Sequence, residues 1–234
     1  MSHTSLSTRR QIANNPDTPA ATLTALAADR DYGVRWRVAA NPNTPPAALS
    51  ILATDTDDLV REHVAYNRNT PTEALTQLAV DDDTCVRGNV AGNPHTPPTV
   101  LTTLAADTYE DVHWRVAANP NTPSATLTTL AANADGYTCQ RVAENPNTPT
   151  DTIQALATDT NTHVAQAAAT TGRTNCLNRY ADTLHGNDRD HALALINAGF
   201  TGWPHELATL LANQRTITMT RNTTHSQHTQ PHHN

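Results

Sequence analysis

The sequence has no lysine and a single phenylalanine, Phe200, among its 234 residues. Only 4% of the residues are aromatic, so a core built on large aromatic side chains is excluded. The hydrophobic residues, 37% of the chain, are mostly Ala, Leu and Val at fixed spacings. This composition favours thin stacked layers in which each unit buries a narrow stripe against its neighbours.

Long apolar runs are also missing. No stretch approaches the roughly 18 apolar residues of a membrane span, and residues 1–6 contain no apolar signal segment. The three cysteines, Cys85, Cys139 and Cys176, form no Cys-x-x-Cys pair, and Cys85 and Cys139 lie two units apart in the predicted stack, too far for a disulfide. We therefore expect a soluble protein of the reducing cytoplasm.

What the sequence does contain is a 26-residue repeat. Asn-Pro-Asn-Thr-Pro stands at 41–45, 119–123 and 145–149, with near copies at 15–19, 67–71 and 93–97. An unbroken period of this length predicts stacked structural units. The predicted organisation is an N-terminal half-repeat cap (1–14), six repeats (15–170), a degenerate repeat with a helical cap (171–217) and a disordered His-rich tail (218–234).

Each repeat predicts two short helices. Threonine before proline, as in Thr44-Pro45, is typical of an N-cap and the first helical position. Two leucines three residues apart then mark a first helix, and two valines four apart, such as Val34 and Val38, mark a second. The next Asn-Pro ends the second helix, which is short enough to be α or 3₁₀. After residue 170 we predict helices at about 176–185, 189–198 and 204–214.

The repeats resemble the leucine-rich repeat variant family of bacterial proteins. The similarity lies in Ala-x-Asn-Pro-x-Thr-Pro, Leu-x-x-Leu-Ala-x-Asp and Val-Arg-x-x-Val-Ala, over residues 8–170. It implies an all-α, right-handed solenoid of alternating α and short α or 3₁₀ helices without β-sheet, similar also to HEAT repeats. One member carries an iron–sulfur cluster on N-terminal cysteines. Residues 1–14 contain no cysteine, so no cofactor is expected here.

The arginines of the second helices have two interpretations. Arg35, Arg61 and Arg87 each follow an aspartate by four residues, as in Asp31–Arg35, a spacing that stabilises helices. We predict a ladder of Asp–Arg contacts that joins successive units. The alternative is an arginine row that binds phosphate, but residues 15–170 carry eight arginines against eighteen acidic residues. This charge balance disfavours nucleic acid.

Metal binding and catalysis have weak signals. The tail histidines, His225, His228, His232 and His233, lie in a segment predicted to be mobile, whereas a structural site needs fixed ligands. Cys139 and His113 occupy equivalent positions of adjacent units, a pair that we interpret as accidental. The sequence has no phosphate-binding loop and no nucleophile motif. We predict no metal site and no enzymatic activity.

The variable side chains lie on the outward face of the second helices. There the residue type changes from unit to unit, whereas the first helices present mostly Ala and Thr. The predicted function is a non-enzymatic scaffold that binds an unknown protein partner through this outward face, as a monomer. The alternative is a nucleic-acid-binding solenoid. The candidate contact residues are Trp36, Arg37, Glu62, His63, Trp114, Arg115, Gln140 and Arg141.

Overall fold

The computed structural model describes residues 4–200 and 206–212. The chain divides into two compact units, and the boundary between them falls between Ala165 and Gln166, inside a helix. The described residues are helical or irregular and contain no strand. The helices are α1 (Leu6–Asn14), α2 (Ala20–Leu26), α3 (Tyr32–Ala40), α4 (Pro46–Leu52), α5 (Asp58–Tyr66), α6 (Thr72–Leu78), α7 (Thr84–Gly92), α8 (Pro98–Leu104), α9 (Glu110–Ala118), α10 (Ser124–Asn133), α11 (Gly136–Glu144), α12 (Thr150–Leu156), α13 (Thr162–Asp182), α14 (Asn187–Asn197) and α15 (206–212).

Every repeat of the first unit contains a first helix and a second helix, as predicted. The first helices have seven residues, except α10 with ten, and the second helices α3, α5, α7, α9 and α11 have nine. Nine residues are enough for two turns of α-helix. The second helices are therefore α-helical throughout rather than 3₁₀.

The core consists of the predicted leucine and valine pairs. In the second repeat Leu49, Leu52, Val60 and Val64 are at most 1% exposed, and their equivalents in the other repeats are also buried. Each second helix packs closely against the second helices of the neighbouring repeats, whereas consecutive first helices contact each other less. The second helices therefore lie on the more tightly packed side of the first unit.

A ladder of buried asparagines joins consecutive repeats. From the second motif to the sixth, the first asparagine donates two side-chain hydrogen bonds to carbonyl oxygens 26 and 28 residues earlier, as Asn93 does to Asn67 (3.0 Å) and Ala65 (2.7 Å). Its own Oδ1 accepts from the backbone two residues on, which closes the turn. The members of this asparagine ladder are Asn41, Asn67, Asn93, Asn119 and Asn145. The motif is thus both a turn and an inter-repeat joint.

The prediction that the motif threonine is an N-cap is wrong. The N-cap position belongs to the following proline, which makes no capping bond, and the helix begins one residue later. The threonine side chain is buried and donates to the end of the preceding second helix, as Thr70 Oγ1 does to Val64 O at 2.6 Å. The hydroxyl therefore satisfies a carbonyl that the end of a helix leaves without an intrahelical partner.

The arginine ladder is present, but its predicted partners are wrong. Each arginine pairs with the aspartate that ends the first helix of the next repeat, twenty residues later, as in Arg61–Asp81 at 2.7 Å. The four pairs of this arginine–aspartate ladder are Arg9–Asp29, Arg35–Asp55, Arg61–Asp81 and Arg87–Asp107. The aspartates predicted as partners have another role: Asp31 and Asp83 cap the second helices.

These ion pairs change the titration of the ladder carboxylates. Burial alone would raise the pKa of Asp81, but the hydrogen bond from Arg61 and the backbone N–H of Asp83 outweigh it and lower the pKa below its ordinary value. Asp55 and Asp107 have lowered pKa values through the same balance. The ladder ends at the fourth repeat, where His113 and Asn133 replace arginine and aspartate.

The end of the repeat pattern changes the helices. Residues 171–175 have no proline, and α13 runs without interruption for 21 residues from Thr162 to Asp182. The predicted separate helix at 176–185 is therefore wrong, because nothing ends the helix before it. In the second unit, Leu177, Ala181, Ala192, Leu207 and Leu211 form a buried cluster. The predicted domain limits stay predictions, and the tail 218–234 lies outside the described residues.

Candidate interaction surface

The eight predicted contact residues lie on α3, α5, α9 and α11, at two consecutive positions of each second helix. We call the surface formed by these two positions in repeats one to five the second-helix face. All eight side chains are half-buried; none is fully exposed, and none is fully buried. Contacts between neighbouring repeats connect the face from the first repeat to the fourth, through Trp36 and His63, Glu62 and Asn89, and Asn89 and Arg115.

At the N-terminal end of the face, an indole covers the next repeat. Trp36 stacks on His63 with ring centroids 5.0 Å apart and an interplanar angle of 26°. The guanidinium of Arg37 lies 4.2 Å from the centroid of Trp36, and one of its nitrogens donates to the carbonyl of Gly33. Burial lowers the pKa of His63, although Glu62 acts in the opposite direction. A neutral imidazole under the indole is thus favoured.

A second aromatic group surrounds Trp114. Its indole meets the ring of Tyr137 in the next repeat edge to face, with centroids 5.8 Å apart. Arg115 lies 5.1 Å from the indole centroid and donates a 2.6 Å hydrogen bond to Asn89 Oδ1 in the preceding repeat. The contacts of Trp114 and Arg115 therefore span three layers of the stack.

The fifth repeat ends the face with a polar group. Arg141 pairs with Glu144 at 2.8 Å and donates to the hydroxyl of Tyr137 at 3.1 Å. Gln140 donates to the other oxygen of the same Glu144 carboxylate at 2.9 Å. Unlike Arg115, Arg141 has its charge balanced within its own helix.

Two residues that take part in these contacts were not among the predicted contact residues: Asn89, which belongs to the face, and Tyr137, which lies beside it. Asn89 occupies the same offset as Arg37 and Arg115, so its position was readable, but its small amide gave no chemical signal. Tyr137 precedes Arg141 by four residues, a spacing that brings side chains together on a helix. Its ring lies 5.0 Å from the Arg141 guanidinium.

The chemistry of the described residues favours contact rather than reaction. The Cys139 thiol is buried, which raises its pKa, and it donates to the carbonyls of Ala131 and Ala134. His113 instead contacts the carbonyl of Asp107, so the predicted accidental pair has no direct bond. Among residues 4–200 and 206–212, no cluster of three or more His, Cys, Asp or Glu side chains could hold a metal ion. The four tail histidines lie outside the described residues.

Comparison with known proteins identifies the architecture. The family model described as leucine rich repeat variant matches residues 59–83. A solved structure titled a leucine-rich repeat variant with a novel repetitive protein structural motif is 24% identical and has a TM-score of 0.53, with coverage of 80% of this chain and 85% of that chain. The chain has the fold of a leucine-rich repeat variant. This confirms the predicted resemblance and the all-α solenoid class.

A weaker match is also a repeat protein. A designed armadillo repeat protein is 15% identical, with a TM-score of 0.26 over 82% of this chain and 81% of that chain. No curated protein matches the sequence significantly. Within the part of the chain that the structure describes, no helix combines the length and the apolar character needed to cross a membrane.

Proposed function

We propose that this leucine-rich repeat variant chain is a non-enzymatic scaffold that binds a protein partner through the second-helix face. The proposed contact residues are Trp36, Arg37, Glu62, His63, Trp114, Arg115, Gln140 and Arg141. A monomeric state and a cytoplasmic location belong to the same proposal. Aromatic residues and arginine are the types most enriched at interface hot spots.

The observation that carries this proposal is that one set of residues in each repeat joins the layers and another set varies. The asparagine ladder, the motif threonines and the arginine–aspartate ladder join the layers with side chains that recur at fixed offsets. The second-helix face changes its residues from repeat to repeat and adds aromatic–arginine pairs at Trp36 and Trp114. Variation on a surface that the recurring joints do not use is what a recognition surface requires.

The nucleic-acid alternative has less support. Arg35, Arg61 and Arg87, the arginines considered for a phosphate row, are each hydrogen-bonded to an aspartate. Binding phosphate through them would break those pairs. Residues 15–170 also contain eighteen acidic residues against eight arginines, which repels a polyanion.

The test compares partner capture by matched variants of the whole chain. Trp36→Ala combined with Trp114→Ala changes the second-helix face, and Thr24→Ala combined with Thr103→Ala changes exposed positions on the first helices. Lysate of the native host is treated with nuclease, and captured proteins are quantified for the wild type and for both folded variants. We expect the tryptophan variant alone to lose its partner. Equal capture by both variants would place the interaction elsewhere, and loss of capture after nuclease would favour nucleic acid.

A further inference from the structure

A cleft of about 670 Å³ opens on the second-helix side of repeats two to four. Its lining includes Tyr66, Arg68, Asn89, Gly92, Trp114 and Arg115. Pro42, Pro94 and Pro120, the second residues of three motifs, also border it, and the motif between Pro42 and Pro94 has Arg68 at this position. A volume of this size is typical of sites that enclose a ligand or several residues of a peptide.

The cleft is open beside Gly92 of α7, which has no side chain to fill it. Gly88 stands where the first and fourth repeats have tryptophan, and Gly92 stands where the second repeat has Tyr66. A Cβ atom added to Gly92 would meet no atom within 4 Å, so the space beside it is open. At Gly88 the opening is occupied in part by Arg115, whose side chain lies 3.4 Å from the position of an added Cβ.

The walls of the cleft offer apolar contact on two sides. Tyr66 is 72% exposed, so most of its ring is available for contact with a ligand. Trp114 borders the cleft one layer beyond Gly88, held by its edge-to-face contact with Tyr137. Grooves lined by aromatic rings bind extended, proline-rich peptide segments.

The charge of the cleft is opposite to that of the whole chain. Its lining contains Arg68 and Arg115 but no aspartate or glutamate, although the chain carries a net charge of −7. Neither arginine forms an ion pair with any residue that the structure describes, whereas the four ladder arginines are all paired. Arg115 makes one side-chain hydrogen bond, to the neutral amide of Asn89. The cleft is thus complementary to an anionic group beside an apolar one.

We propose that this cleft binds an extended peptide segment of a partner protein, with an Asp or Glu carboxylate on Arg115 and an apolar residue or proline between Tyr66 and Trp114. This inference rests on the proposed protein-binding function and names the place and the chemistry of the contact. Arginine–carboxylate hydrogen bonds are stronger than neutral ones, and a partly covered site strengthens them further. A single carboxylate suits two free arginines, whereas the acidic repeats around them repel a long polyanion.

The experiment selects ligands from a random dodecapeptide library displayed on phage, with the whole chain as bait. Selected peptides are then measured by fluorescence anisotropy against four variants. Gly92→Tyr fills the cleft with the residue that the second repeat carries at this offset, and its control Asn14→Tyr places a tyrosine at the same offset in α1, away from the cleft. Arg115→Gln removes the free cation, and its control Arg30→Gln removes an exposed cation of the first repeat that lies outside the second-helix face.

We expect selected peptides to be enriched in Asp or Glu next to proline or an apolar residue. Gly92→Tyr and Arg115→Gln should weaken peptide binding about tenfold or more, and the two controls should weaken it less than about twofold. Asp→Asn or Glu→Gln in the peptide should weaken binding to the wild type but not to Arg115→Gln. Melting curves of all four variants establish that they are folded.

Other outcomes overturn the inference in distinguishable ways. Selected peptides that bind all four variants equally would sink the cleft and leave the proposed protein-binding function standing. A chain that enriches no peptide above bare beads would count against both. Stronger binding of an oligothymidylate than of any selected peptide, abolished by Gly92→Tyr, would assign the cleft to single-stranded nucleic acid instead.

Discussion

The asparagine ladder and the second-helix face use polar side chains in opposite ways. In the asparagine ladder Asn93 is buried, and its amide group makes three hydrogen bonds, all to backbone atoms. The second-helix face instead has half-buried side chains such as Arg115, whose guanidinium makes one hydrogen bond. Complete pairing keeps the ladder residue the same from repeat to repeat. Incomplete pairing leaves the residues of the second-helix face free to vary.

Acid should produce the largest loss of stability, because it acts on the whole arginine–aspartate ladder at once. The pKa values of Asp29, Asp55, Asp81 and Asp107 are all lowered in the folded chain. Their stabilisation is therefore present above the unfolded pKa of about 3.9 and is lost as the pH falls through the lowered folded values. Urea unfolding between pH 7 and pH 2 should show stability falling below about pH 4.

A matched pair of variants assigns this acid effect to the ladder. Asp81→Asn removes one ladder carboxylate and should make the stability less dependent on pH below about pH 4. Asp82→Asn changes its exposed neighbour and should follow the wild-type curve. Parallel curves for all three proteins would mean that the ladder does not cause the acid response.

The next largest effect is expected from the asparagine ladder. Asn93→Ala leaves the buried carbonyl oxygens of Ala65 and Asn67 without this donor and should lower the free energy of unfolding by about 2–4 kcal/mol. Asn121→Ala removes a single exposed hydrogen bond to Pro94 and should lower it by less than about 1 kcal/mol. Urea titrations measure both. Similar losses in the two variants would show that burial does not distinguish these amides.

A smaller loss is expected on the second-helix face. Trp114→Ala removes a half-buried indole and its contact with Tyr137, and should lower the free energy of unfolding by about 1–2 kcal/mol. Leu101→Ala, in the core of the preceding first helix, should lower it by about 2–5 kcal/mol. A loss from Trp114→Ala as large as that from Leu101→Ala would make the indole a core residue and weaken the binding role proposed for it.

The smallest effect concerns the motif threonine. Thr122→Val keeps the shape of the side chain but removes the hydroxyl that donates to Val116 O, and should lower the free energy of unfolding by about 1 kcal/mol. The loss is limited because Asn119 N also donates to that oxygen. Thr122→Ser, which retains the hydroxyl, serves as the control for the lost bond. A Val variant as stable as the wild type would contradict the helix-ending role.

The repeat made the helices predictable, but local rules misassigned their polar contacts. A threonine before proline suits an N-cap in any isolated segment, and only the stack shows Thr70 turned back onto Val64. The partner of Arg61 is twenty residues away, a separation that helical spacing does not reveal, whereas Asp57 at four residues matched a familiar rule. The 21-residue α13 was not predicted, because the repeat period placed a helix boundary at residues 171–175, where no proline ends the helix.

The candidate surface was predictable in position but not in depth. The offsets of Trp36 and Trp114 placed both on the second helix, yet their half-burial depends on what the adjacent repeat offers, a histidine in one case and a tyrosine in the other. The cleft beside Gly92 was not predicted at all. A glycine gives no positive signal in a sequence, and the space it leaves depends on both neighbouring layers.

The asparagine ladder also constrains how such a chain can change its length during evolution. Each ladder asparagine reaches acceptors 26 and 28 residues earlier, and each ladder arginine reaches a carboxylate 20 residues later. A duplication or deletion of one complete repeat preserves all of these separations, whereas a shift of a few residues breaks them in every layer it crosses. Length therefore changes in whole steps of 26 residues. Every added step also supplies two unassigned positions on which new specificity can be selected.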